Sequence, residues 1–155
     1  MGNQIVSRTS HRGRTQAVYY RDSHGREPVN DWLEALLSTK PAAVAKIDEF
    51  VQEHLNSRRA DGPPPEFPIT SQIEGGLREL RVRSANTRYR LLYQRSGNLV
   101  VLLHAFEKNT GAIEAADKRI ALQRFADFRA RMDTESRERP RAAGHDAPSR
   151  RGVER

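Results

Sequence analysis

The sequence predicts a small α/β fold of the α+β kind: an N-terminal strand, an αα-hairpin, a three-stranded antiparallel meander and a C-terminal helix. Three observations predict it. The stretch from Leu77 to Thr110 reads as three consecutive β-prone runs separated by two short polar turns. Two apolar stripes at helical spacing stand before it, each opened by a proline, and a longer helical stripe follows Gly111.

Gln16 to Arg21 is the first strand, with Val18 and Tyr20 on one face and Tyr19 on the other. Asp22–Ser23–His24–Gly25 is a turn by composition. Pro28 suits the first turn of a helix, where its missing N–H costs nothing. Val29, Trp32, Leu33, Leu36 and Leu37 then follow at helical spacing. Ser38 or Thr39 is expected to cap a second helix with Pro41 in its first turn. Its stripe is Val44, Ile47, Val51 and Leu55, widened by Phe50. Trp32 and Phe50 read as core residues rather than cofactor contacts, so the hairpin needs a sheet to cover.

Arg58 to Ser71 is expected to be a loop, because Gly62, Pro63–Pro64–Pro65 and Pro68 forbid regular structure. The proline run reads as a stiff connection rather than a docking ligand. Gly75–Gly76 marks a close backbone approach or a sharp bend before the first meander strand. Arg78 to Arg83 alternates, with Leu80 and Val82 pointing one way and Glu79, Arg81 and Arg83 the other. Ser84 to Thr87 is a polar turn, and Tyr89 to Gln94 is the second strand. Ser96–Gly97–Asn98 is the next hairpin connection. Leu99 to Phe106 is almost wholly apolar, as suits an inner strand covered on both faces. In the last helix Ile113, Ala116, Ile120, Phe125 and Phe128 approximate one face, with Ala121 widening it and the Phe125–Phe128 end overhanging the core.

Composition sets the outer bounds. A chain of 155 residues is one domain with tails. Residues 1–15 are expected to be a flexible basic arm, 16–131 the folded domain, and 132–155 a disordered tail without apolar periodicity. The net charge of +7 favours an anionic partner such as RNA, the ribosome, DNA or an acidic protein. With no cysteine there is neither disulfide nor thiolate metal site, which fits a reducing cytoplasm. No apolar run approaches the roughly 20 residues of a membrane span, and no secretory signal is apparent. No cofactor is expected: there is no Gly-rich phosphate loop, and the five histidines are dispersed without ligand spacing.

If Leu80 and Val82 face the core, Arg81 and Arg83 face out. Tyr89, Leu91 and Tyr93 pointing inward send Arg90 to the same open face, while His104, Phe106 and Lys108 share a parity on the third strand. Like charges converging on one sheet face call for an anionic partner, although spacing alone is equally compatible with a solvated strand face.

Within this element order, three motifs carry a resemblance: Glu79–Leu80–Arg81, then Tyr89–Arg90–Leu91–Leu92–Tyr93, then Leu102–Leu103–His104–Ala105–Phe106–Glu107–Lys108. The chain resembles the RelE/ParE toxin superfamily, and more closely its phage-related HigB branch, over about Gln16 to Phe128. The resemblance implies a small RelE-like fold. It also implies the toxin of a type II toxin–antitoxin system that cuts messenger RNA, usually on the ribosome, and is held inactive by a cognate antitoxin, expected to be a helix-turn-helix protein. By motif position it assigns Arg81, Arg83, Arg90 and Lys108 to phosphate binding and transition-state stabilisation. His104 or Lys108 would move protons, and Glu79 would orient an arginine or act as base.

That chemistry suits the residue types. Attack of a 2′-OH on the adjacent phosphate leaves a 2′,3′-cyclic phosphate and a 5′-OH, and needs cations at the phosphorane with proton transfer at each end. The arginine fork engages two phosphate oxygens at once. The chain departs from the branch in having Asn109 where a second lysine is usual and Gly111–Ala112–Ile113 where a proline is common. It also lacks an obvious tyrosine beyond the last strand, so the general acid is unassigned. His104 reads equally as a structural histidine. Two other classes stay open: a gyrase-inhibiting toxin of the ParE kind, against which Arg90 and Lys108 argue, and a protein that binds RNA or the ribosome without cutting.

Overall fold

The most apolar run of the chain lies inside the sheet. A computed structural model, which describes residues 15–56, 69–108, 113–135 and 142–150, has six strands: β1 (Gln16–Tyr20), β2 (Thr70–Glu74), β3 (Leu77–Ser84), β4 (Thr87–Ser96), β5 (Leu99–Glu107) and β6 (Gly144–Asp146). Their order across the sheet is β2-β3-β4-β5-β1-β6. β1 runs parallel to β5, and the other described pairings are antiparallel. The helices are α1 (Pro28–Leu37), α2 (Pro41–Phe50), continued by a π-helical turn over Val51–Leu55, and α3 (Ala115–Glu135).

Both faces of the sheet are covered, which is why β5 needs apolar residues at successive positions. On one face Tyr19, Leu80, Val82, Tyr89, Leu91 and Leu102 pack against Val29 and Leu33 of α1 and Val44 and Ile47 of α2. On the other, Val18, Tyr20, Leu77, Leu92, Val101 and Leu103 pack against Ala121, Phe125 and Phe128 of α3. Both hairpin helices begin at their prolines as expected. Trp32 is half-buried, edge-on to Tyr89 with ring centroids 5.9 Å apart. The β4–β5 register shifts where Leu92 opposes His104 and Tyr93 opposes Leu102. This bulge lets Leu103 and His104, neighbours in sequence, both meet α3.

Several expectations are corrected. The meander has four strands, not three: Thr70–Glu74, whose first residues fell in the expected loop, pairs with β3 through a turn at Gly75–Gly76. Gly75 there has φ +54°, a conformation that L side chains rarely adopt. Most of the proline-rich loop lies outside the described residues. Ser38 and Thr39 do not cap α2; their hydroxyls donate back to the Ala35 and Leu36 carbonyls of α1, and Lys40 precedes α2 without a side-chain cap. Phe125 and Phe128 do not overhang; both are buried, whereas Ala116 is exposed.

The tail expected to be disordered from 132 onward instead carries structure. α3 runs on to Glu135, and Gly144–Asp146 forms a strand on the outer edge of β1. Ala143 and Ala147 are buried. A Cβ added to Gly144 would lie 3.1 Å from Val18 Cγ2 and 3.5 Å from Phe128, so a side chain there would require Val18 to give by a few tenths of an ångström. Polar groups hold the segment as much as apolar ones. The buried Arg150 guanidinium donates to Asn30 Oδ1 of α1, to Asp48 of α2 and, at 2.7 Å, to the Tyr19 hydroxyl. His145 Nδ1 lies 3.0 Å from the buried Glu27 carboxylate, which also takes Asn30 and Arg21. The basic arm falls outside the described residues except Thr15, whose hydroxyl donates to the Leu55 carbonyl at 2.6 Å. No helix among the described residues is long and apolar enough to cross a membrane.

Candidate active site on the arginine-bearing face

The antiparallel register sets the charged side chains in rows across β3, β4 and β5. Glu79, Leu92 and His104 form one row. Arg81, Arg90 and Phe106 form the next. Arg83 and Arg88 pair in the third, where the Lys108 N–H donates to the Arg88 carbonyl at 2.8 Å. Cross-strand partners share a face. Leu77 and Leu92 place that face on the α3 side, and the two rows beyond them run toward the β3–β4 turn.

Glu79 is the acid at the centre of this face. Its Oε2 accepts from Arg81 Nε at 3.1 Å and from the Ser71 hydroxyl at 2.9 Å, and lies 3.0 Å from Arg81 Nη2. Its Oε1 lies 3.2 Å from Arg90 Nε. That contact is too poorly aligned to be a hydrogen bond, so both atoms are left without one. Glu79, Arg90 and Lys108 are only 3%, 7% and 8% exposed, which corrects the expectation of an open, outward-facing set. Lys108 Nζ is likewise buried and has no hydrogen-bond partner among the described residues. A buried cation without a partner costs far more than a solvated one.

Among the described residues of β3, β4 and β5, five cations, Arg81, Arg83, Arg88, Arg90 and Lys108, therefore share the face with the Glu79 carboxylate. Burial and then Arg90 hold the Lys108 ammonium below the usual lysine range, with Glu79 opposing. Burial lowers Arg90 as well; Glu79 opposes this, and Arg81 and Arg88 add to it. The field of such a cluster suits an anion with several oxygens.

Of the six residues singled out in the sequence, Glu79, Arg81 and Arg90 are in direct contact. Lys108 joins them at the end of β5, and Arg83 lies exposed at the margin. His104 is drawn elsewhere: its Nε2 is 2.7 Å from Asp117 Oδ1 in the first turn of α3, and its ring lies 5.4 Å from Phe106. Burial lowers its pKa despite the carboxylate beside it. Arg88 and Ser71 were missed. Arg88 shares the parity of Arg90, so the same alternation rule finds it, whereas Ser71 belongs to a strand whose pairing the sequence did not reveal.

No curated protein sequence matches the chain. The phage-derived protein Gp49-like family (DUF891) matches residues 32–126, more than half of the chain, from Trp32 in α1 through the whole charged face to Ala126 in α3. The protein is thus a member of the Gp49-like phage-derived family, a toxin-type family of toxin–antitoxin systems.

Proposed function

We propose that this protein is a toxin of the HigB/RelE kind and a metal-independent endoribonuclease, which cuts messenger RNA on the ribosome and so stops translation. Arg81, Arg90 and Lys108 hold the scissile phosphate and take up charge as the phosphorane forms. Arg83 and Arg88 hold the neighbouring backbone. Glu79 keeps the inner arginines in place, and His104 fixes α3 to the sheet rather than entering the chemistry. A cognate antitoxin covers the face until it is removed.

One observation carries the reading: Arg90 and Lys108 are both buried on this face, each with a polar atom that lacks a hydrogen bond among the described residues. A phosphate supplies the missing acceptors, and it is the group that five clustered cations select from RNA. Membership of a toxin-type family supports the reading independently.

The test is expression of the chain alone with pulse-labelling of protein synthesis, followed by end analysis of RNA treated with the purified protein. Translation should stop, and fragments should carry 2′,3′-cyclic phosphate and 5′-OH ends. Unchanged synthesis in cells carrying folded protein overturns the proposal. Loss of DNA supercoiling with messenger RNA intact replaces it with gyrase inhibition.

A further inference from the structure

We propose that Ser71 is a positioning residue of the phosphate site: its hydroxyl holds the Glu79 carboxylate toward Arg81 and so leaves the Nε–H of Arg90 for a phosphate oxygen. The proposal rests on the phosphate-binding reading above and adds to it a residue from the edge strand β2.

Ser71 stands opposite Glu79 in the β2–β3 register and is half-buried. Three donor atoms meet on one oxygen of that carboxylate. Glu79 Oε2 accepts from the Ser71 hydroxyl at 2.9 Å and from Arg81 Nε at 3.1 Å, and lies 3.0 Å from Arg81 Nη2. Glu79 Oε1 lies 3.2 Å from Arg90 Nε but out of line, and neither atom has a hydrogen bond among the described residues. One carboxylate is thus shared unequally between two arginines.

Neither the backbone nor burial explains that division. Rotation about the last bond of a glutamate side chain is broad and two-fold, so the strand does not choose which arginine is aligned. Burial favours the opposite choice. The Arg90 side chain is 8% exposed and that of Arg81 29%, and a charged hydrogen bond gains most where water is excluded. Ser71 is the asymmetric element, because its hydroxyl reaches Oε2. Its own orientation is set by Arg81, whose Nη2 donates to Ser71 Oγ at 3.5 Å and so turns the O–H toward Glu79. Ser71, Glu79 and Arg81 therefore close a ring of contacts that leaves Arg90 outside.

The consequence has a definite sign. Without the hydroxyl, the carboxylate turns and Arg90 Nε gains an aligned acceptor. An incoming phosphate must then break a charged hydrogen bond before it can use Arg90. Ser71 itself need not touch the phosphate; it acts through Glu79.

The deciding experiment measures sulfate affinity and RNA cleavage in the full chain for Ser71→Ala, Ser71→Thr and Glu79→Gln, and for the Ser71→Ala/Glu79→Gln double variant. Sulfate binding is followed on the Arg90 Nε–H resonance. Ser71→Ala should weaken sulfate about tenfold, the worth of one hydrogen bond to a charged group, and slow cleavage by a similar factor. Its Arg90 Nε–H should exchange with water more slowly than in the wild type before sulfate is added. Ser71→Thr, which keeps the hydroxyl, should restore all three. In the Glu79→Gln background, which removes the competing charge, Ser71→Ala should change sulfate affinity little. A merely structural role for Ser71 gives the same loss in both backgrounds and leaves Arg90 exchange unmoved, and that result overturns the proposal. Wild-type sulfate affinity in Ser71→Ala overturns it as well. A wild type that follows the sulfate pattern and cuts no RNA keeps Ser71 in this role and removes the nuclease reading alone.

Discussion

Arg150, at the far end of the described chain, donates from Nη2 to the hydroxyl of Tyr19 in the first strand at 2.7 Å. The Tyr19 hydroxyl also accepts from the Ser149 N–H, and burial pushes its pKa up to about 12. The same guanidinium satisfies Asn30 and Asp48. Arg150→Ala should therefore lower unfolding free energy by about 3 kcal/mol, as expected for breaking a buried pair, read by urea denaturation. Deleting residues 142–155 should cost more, because it also uncovers Val18 and Phe128. Removing residues 1–14, which have no apolar face to bury, should leave the melting temperature unchanged. A tail deletion without effect would mean that β6 contributes nothing.

Glu79 and Arg90 should respond unequally to truncation. Arg90→Ala leaves Glu79 with Arg81 and Ser71 and relieves repulsion from Arg81 and Arg88, so stability should change by under about 1 kcal/mol. Glu79→Ala leaves a buried arginine among like charges and should cost about 3 kcal/mol. Sulfate should restore part of that by occupying the face. In activity Arg90→Ala should slow cleavage about a hundredfold, and Arg90→Lys should recover only part of it while RNA affinity falls much less. Denaturation curves and single-turnover rates together check the pattern.

His104 supplies a pH dependence. Burial, outweighing Asp117, lowers its pKa below the ordinary histidine value. The unfolded chain then binds the proton more readily, so the His104 contribution is full above the unfolded pKa of about 6.5 and declines as pH falls below it. Asp117→Asn removes the opposing carboxylate and should steepen that decline. Ring resonances of His104 should titrate below the unfolded value in the wild type and lower still in the variant. Titration above 6.5 would show that the ion pair prevails over burial.

The β3–β4 turn holds a residue at odds with its conformation. Ala85, the first central residue between Ser84 and Thr87, has φ +54°, where a hairpin turn favours glycine. Ala85→Gly should raise stability by about 0.5–1 kcal/mol, measured by thermal unfolding. No gain would mean that the entropy glycine adds to the unfolded chain cancels the relief.

What was legible in the sequence depended on alternation and on proline. Pro28 and Pro41 marked both hairpin helices, and Leu80 with Val82 fixed which side of β3 meets the core. That parity placed Arg81 and Arg90 on one face. Burial within the face was not legible, because Glu79 is closed in by ion pairs that only the register brings together. β2 escaped because it sits at the sheet edge with a single described neighbour, so Thr70 to Glu74 needs little apolar pattern and follows a run of prolines. β6 escaped for a different reason. Gly–His–Asp has no hydrophobic signal, and what fixes it is the space left at Gly144 and an arginine that finds its acceptors on three distant elements.

Lying between β5 and β6 has a consequence for how the chain is made. Gln16 opposes Leu99, and Tyr20 opposes Gly144, so β1 has neither neighbour until most of the described chain has followed. The helical hairpin and the β2–β5 meander join contacts close in sequence and can form early, whereas β1 waits. β6 can be seated only after β1 has joined β5, and the Tyr19 hydroxyl meets Arg150 only then.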